Sequence, residues 1–136
     1  YADDAIVVTN PEVSSVRDSD RMIGILSSKS RRAEQNMEGI REFLLVTRYS
    51  PERVQRGEML SIDDVRDILA LELIGVIPES ESVLNASNAG VPVILERDSN
   101  AGQSYRDMVA RYLGEDLPHR FLSVEKKGLF GRLFGG

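Results

Sequence analysis

The chain has 136 residues, with 17 Lys and Arg against 22 Asp and Glu, a formal net charge of −5, and 41% apolar and 29% charged side chains. That composition is ordinary for a folded globular domain and excludes disorder and collagen-like repeats, and the length suffices to bury about two thirds of the unfolded surface around one core. There is no cysteine and His119 is the single histidine, which removes disulfides, thiolate zinc sites, cysteine nucleophiles and histidine metal clusters, while the acidic balance argues against a nucleic-acid partner.

Ala5, Ile6, Val7, Val8 and Thr9 read as a buried strand that starts almost at once. No signal-peptide pattern precedes it, and no apolar run approaches the roughly 20 residues that span a bilayer. The first residue is Tyr1 rather than Met, so the chain is expected to be part of something longer and to work in the cytoplasm. After Asn10-Pro11-Glu12, residues 13–26 carry Val16, Met22, Ile23 and Leu26 at helical spacing, with Ser14 or Ser15 as N-cap. Residues 27–39 are polar and read as a surface connection, and residues 43–47 form a second apolar strand. Ser61 is expected to cap a helix through Ala70, with Asp63 and Asp64 at its positive end.

Residues 73–77 are a third apolar run, closed by Pro78, which has no N–H to give to a sheet. A short helix over 82–89 stops at Gly90, and residues 91–95, interrupted by Pro92, suit an edge strand or an extended loop. Residues 103–113 predict a helix with Tyr105, Met108, Val109, Tyr112 and Leu113 on one face and Gly114 at its end. Apolar strands alternating with helices imply an α/β fold with a parallel sheet covered on both faces. Ligands in such sheets bind beyond the carboxyl ends of the strands, here Thr9 to Glu12, Thr47 to Tyr49 and Ile77 to Glu79.

No GxxxxGK[S/T] loop, GxGxxG fingerprint or HExxH motif occurs. Asp18 with Asp20 and Asp63 with Asp64 are carboxylates one or two residues apart, which do not share a helix face and read as surface or cap residues. His119, following Pro118, reads as a surface histidine. The last residues carry a sharper signal. Leu129, Phe130, Leu133 and Phe134 make one apolar stripe on a helix, with Lys126, Lys127 and Arg132 beside it and no acid from Lys126 onward. Ten helical residues span about 15 Å, half of the roughly 30 Å hydrocarbon core, so such a helix lies on an anionic membrane without crossing it. Burying four large apolar side chains contributes at most about 1.5–3 kcal/mol each, against roughly 10 kcal/mol or more to order ten residues. One tail is marginal, and two tethered tails bind far more tightly through effective concentration.

Taken together, Thr9 to Arg21, Ser30-Arg31-Arg32-Ala33-Glu34, Leu45 to Tyr49, Gly75 to Glu79 and Lys126 to Gly136 resemble the MinD family of septum-site ATPases, of the deviant Walker A group. The resemblance runs over the whole chain and corresponds to the C-terminal half of that family. It implies a P-loop NTPase-like three-layer α/β fold, with residues 1–118 as the C-terminal part of one nucleotide-binding domain and residues 119–136 as linker and amphipathic membrane helix. It further implies an ATPase that uses ATP and Mg²⁺, dimerises with ATP, attaches peripherally to the cytoplasmic face of the bacterial inner membrane, recruits the division inhibitor MinC and is stimulated to detach by MinE.

Carried over residue by residue, the resemblance implies that Thr47, Arg48, Pro78 and Glu79 hold the adenine and that Glu12, Ser14, Asp18 and Asp20 are exposed contacts for MinC and MinE. It also implies that Lys126, Lys127, Leu129, Phe130, Arg132, Leu133 and Phe134 meet the membrane. The phosphate loop and the magnesium-coordinating acids of the family belong to its other half, so this chain alone is expected to hold no catalytic residue or metal and to hydrolyse no ATP. Gly131 gives the tail less helix propensity than Lys or Arg would. Two other readings are a non-catalytic membrane-bound adaptor and a ParA-like partition ATPase, the latter disfavoured by the acidic body.

Overall fold

The computed structural model describes residues 2–29 and 39–124. Along the chain run β1 (Asp4–Thr9), α1 (Val13–Lys29), β2 (Arg41–Tyr49), α2 (Pro51–Gln55), α3 (Ile62–Leu69), β3 (Glu72–Pro78), α4 (Glu81–Ala89), a 3-10 turn (Val93–Leu95) and α5 (Asn100–Tyr112). The three strands make a parallel sheet in the order β1-β2-β3, with Val7 opposite Leu44 and Leu44 opposite Leu73. The α/β class and parallel sheet are as the alternation of apolar runs and helices requires.

Two clusters fill the two faces. On one, Leu44, Val46 and Val76 of the sheet meet Val16 of α1 and Ile62, Val65 and Leu69 of α3. On the other, Leu45 and Ile77 meet Ala101 of α5, with Tyr105 and Met108 packed against them. Caps set the helix starts. Ser61 Oγ accepts from the Asp64 amide while the Asp64 carboxylate accepts from the Ser61 amide, a reciprocal box that satisfies two backbone donors at the start of α3. Gly90, at φ 69°, ends α4 in the left-handed conformation expected of it.

Several elements differ from the sequence expectation, each for a physical reason. β1 is only half-buried: Ile6 is 41% and Val8 56% exposed. They share a face with Phe43 and Leu45 by register, and α5 lies over β3 on that side, where its Tyr112 meets Phe43 edge-on at 5.5 Å and donates its hydroxyl to Asp4 at the start of β1 at 2.7 Å, leaving Ile6 and Val8 beyond it uncovered. α1 begins before the serines expected to cap it, because the Val16 amide already bonds the Glu12 carbonyl. Ser14 and Ser15 therefore sit inside its first turn, and the helix runs on to Lys29 into the segment read as a connection.

Residues 91–95 form no strand; the amides of Leu95 and Glu96 turn back onto the carbonyls of Pro92 and Val93. α5 starts earlier than its apolar residues suggest, since Ser99 Oγ caps the Gly102 amide. Its buried face is Ala101, Gly102 and Ser104, whereas Val109, Tyr112 and Leu113 are exposed. His119 is half-buried rather than on the surface, with Nδ1 enclosed. Within residues 119–124, Leu122 packs against the first cluster. The amphipathic helix expected at the end, with Lys126, Lys127, Leu129, Phe130, Arg132, Leu133 and Phe134, lies outside the described residues.

Candidate nucleotide site and partner face

The carboxyl ends of β2 and β3 lie side by side, Tyr49 opposite Pro78, and the Glu79 amide donates to the Tyr49 carbonyl at 2.8 Å. The ladder is irregular between Val46 and Tyr49, and Arg48 there has a φ of 56°. Such a break in register redirects the side chain it carries. The Arg48 guanidinium turns towards the β3 loop, where Nη2 donates to Glu79 Oε1 at 3.3 Å. Both side chains are largely in solvent, so the pair is a lip rather than a source of stability.

Beside this lip is an open slot of about 670 Å³ lined by Thr47, Arg48, Pro78 and Glu79 together with the apolar Ile77, Val83, Leu84 and Tyr105. All four residues assigned to the base by sequence thus line one cavity. Thr47 Oγ1 also donates to Asn10 Oδ1 at 3.4 Å, tying the end of β2 to the end of β1. Ser80, which also lines the slot, belongs to a hydroxyl chain: Ser82 Oγ lies 2.6 Å from Ser80 Oγ and 2.7 Å from Ser99 Oγ. Because Ser80 and Ser99 cap α4 and α5, these bonds fix two helix starts to each other. Tyr105 is a wall residue that the sequence motifs do not mark; its helical spacing shows only that it faces inward, and the slot stands where α5 meets the end of β3. An apolar slot of this size with a few convergent polar groups suits a small planar ligand, and a guanidinium lining it can stack on an aromatic ring.

The partner residues divide. Ser14, Asp18 and Asp20 are exposed on α1. Ser14 and Asp18 share a stripe with the exposed Met22 and Ile25, whereas Asp20, two positions from Asp18, points about 200° away. Glu12 is engaged by Arg53 of α2 at 3.4 Å. Beside Asp18, a trough of about 500 Å³ runs along β1 past Ile6, Val8 and Met22. Among the described residues no group of three or more acidic or histidine side chains could hold a metal, and no helix is long and apolar enough to cross a membrane.

Against this geometry, no protein-family model matches the chain. The Septum site-determining protein MinD of Escherichia coli K12 is 62% identical over 136 residues, all of this chain and 50% of that protein. The chain therefore spans about half the length of the curated relatives it matches, and the match falls on their C-terminal half. Among solved structures, a MinC:MinD cell division protein complex from Aquifex aeolicus superposes with a TM-score of 0.75 at 41% identity, over 86% of this chain and 45% of that one. The Pyrococcus horikoshii MinD complexed with Mg-ADP superposes at 0.64 and 21% identity, over 81% and 41%, a likeness of fold. The architecture is the C-terminal part of a P-loop NTPase-like α/β fold.

Proposed function

We propose, from the premise that this chain matches the C-terminal half of the septum-site-determining MinD proteins along its whole length, that it supplies the base-binding and partner-facing half of an ATPase that positions cell division. The observation that carries the reading is the slot beside the Arg48–Glu79 lip. It joins the four residues expected at the adenine on two adjacent strand ends. The donor set fits a base and not its magnesium, since the acids nearby are ion-paired or exposed and form no cluster among the described residues. Phosphates and Mg²⁺ would be held by the other half of the fold, which would supply the hydrolytic chemistry. Within this chain Ile77, Val83 and Tyr105 would exclude water from the ring, Pro78 would limit its depth, and Arg48 would cover its exposed face.

In the same reading, the stripe of Ser14, Asp18, Met22 and Ile25 on α1 receives MinC and MinE, with Asp18 as the charged contact. Self-association with ATP would present two basic amphipathic tails to an anionic inner membrane, where one alone is marginal. A chimera of the N-terminal half of the E. coli relative followed by this chain tests the assignment. Arg48→Ala should weaken ATP binding by about tenfold, the cost of a lost stacked or charge-assisted contact, with MinC recruitment at saturating ATP unchanged. Asp18→Arg should do the reverse. If Arg48→Ala leaves ATP binding intact while Asp18→Arg abolishes MinC binding, the slot has been misassigned and the chain is an adaptor face only.

A further inference from the structure

The two edges of the sheet are treated differently. Along β1 the edge is open among the described residues, with Ile6 and Val8 exposed beside it. Along β3 the chain that follows α5 is laid over the edge. Arg111, near the end of α5, donates to the Ile74 carbonyl at 3.1 Å and to the carbonyls of Leu117 and Pro118 at 2.8 and 2.6 Å, so one guanidinium joins the strand edge to the segment crossing it. Arg120 forks onto both oxygens of Asp107 at 2.7 and 2.8 Å and reaches Gln103 at 2.9 Å. Leu122 then packs into the cluster on the opposite face of the sheet from α5, and Tyr49 donates its hydroxyl to the Leu122 carbonyl at 3.3 Å. Ser123 and Val124 end beside Glu79 and Ser50, at a third cavity of about 660 Å³.

Between these two fastenings stands Phe121 at φ 61°, a left-handed conformation that a bulky L residue rarely adopts and keeps only where its neighbours over-determine it. Here the neighbours are the Arg120 fork on one side and the Leu122 anchor on the other. These ties are polar or lie at the surface, apart from the half-buried Leu122 and His119, the latter also hydrogen-bonded to the Leu73 backbone, and no helix or strand hydrogen-bond ladder holds residues 117–124. A segment of that kind opens without the rest of the fold.

We infer that residues 117–124 form a releasable strap, latched by Arg120 and Leu122 on either side of Phe121. The strap gives whatever follows Val124 two points of departure from the body. Latched, the chain leaves beside the Glu79 loop, at the carboxyl end of the sheet. Released, it leaves from the end of α5, and eight freed residues add about 26–29 Å of reach. The inference goes beyond the function proposed above and stands without it, since it concerns only how this chain is fastened.

The chain has no cysteine, so a single introduced thiol reports on one place. Leu122→Cys reports on the strap and Val65→Cys, in α3 and fully enclosed, on global unfolding. Because Leu122→Cys itself weakens one latch and Leu122 is partly exposed, its labelling sets the starting rate; the strap predicts that this rate stays unchanged in low denaturant while that of the Val65→Cys thiol rises, because local opening needs less free energy and exposes less surface than global opening. Adding Arg120→Gln should raise the first rate about fivefold, the scale of one well-aligned ion pair, and leave the second unchanged. An equal rise of the two rates with denaturant overturns the inference, as does an Arg120→Gln effect that is absent or equal at both. Hydrogen exchange tests the strap on the unsubstituted chain: amides 119–124 must exchange ahead of those of α3, and exchange in step with α3 overturns it.

Discussion

Replacing Gly102 by Ala sets two forces against each other. Counted by helix propensity alone, Ala in place of Gly inside α5 stabilises by about 1 kcal/mol. The packing opposes this. A Cβ at Gly102 would stand 2.6 Å from the Val93 carbonyl oxygen and closer still to that of Glu96, both backbone atoms of the loop before α5. Neither can swing aside like a side-chain tip, so the helix must lift off the 3-10 turn. Overpacking of this kind costs typically 1–3 kcal/mol and occasionally more, and backbone obstruction puts Gly102→Ala at the upper end. Subtracting the propensity gain leaves a net loss of about 2 kcal/mol. For a domain of this size that is on the order of 8 °C in melting temperature. Urea unfolding of both chains, compared at equal slope, reads the difference directly. A variant as stable as the parent, or more so, would mean that α5 does not lie against the loop as described, and with it the wall that carries Tyr105.

Ser61→Ala removes the hydroxyl half of the capping box on α3 and should cost about 1 kcal/mol in the same unfolding assay; no loss would deny that the box forms. His119 has its pKa lowered from the usual 6.5 by burial first and by the Arg111 charge second. The unfolded chain then takes up a proton near pH 6.5 that the folded chain refuses, so stability is level above about pH 7.5 and declines as pH falls through 6.5. Glu58 and Asp64, whose pKa values are lowered by hydrogen bonds from Arg56 and Ser61, lose their contribution only near and below the ordinary carboxylate range, at about pH 4.5 and under. His119→Gln should therefore flatten the profile between pH 7.5 and 5.5; an unchanged slope would assign the loss to another group.

Much of the fold is legible in the sequence because it rests on patterns that burial imposes. Leu44, Leu45 and Val46 are enclosed on both faces, and only a covered parallel sheet permits a run with no polar alternation. Ser61, Gly90 and Pro78 mark ends of elements for local reasons that no tertiary contact overrides. What the sequence hides is long-range. Ile6 and Val8 look as apolar as Leu44 and Leu45, yet β1 stands at an edge that α5 touches only at Asp4. α5 begins at Asn100 because Ser99 caps it and because Gly102 allows a close approach, neither visible as apolar spacing. His119 and Leu122 are half-buried in a segment that carries no secondary structure of its own. The strand-end loops that make the slot can be read from the apolar runs before them. The turn of Arg48 to a positive φ and the part of Tyr105 cannot, since they depend on a bulge and a helix position that the sequence does not spell out. Asp18 and Asp20 share exposure but not a face, as a two-residue step on a helix dictates.

The slot proposed for a nucleotide base stands at the ends of β2 and β3. Because the slot is built within this chain, it can be tested with adenosine alone, free of phosphate and magnesium. Titrating adenosine into the isotopically labelled chain while following backbone amide resonances should shift Thr47, Arg48, Ile77, Glu79, Ser80 and Tyr105 together along one saturating curve. Shifts confined to the trough between β1 and α1, or none at saturating adenosine, would contradict the account.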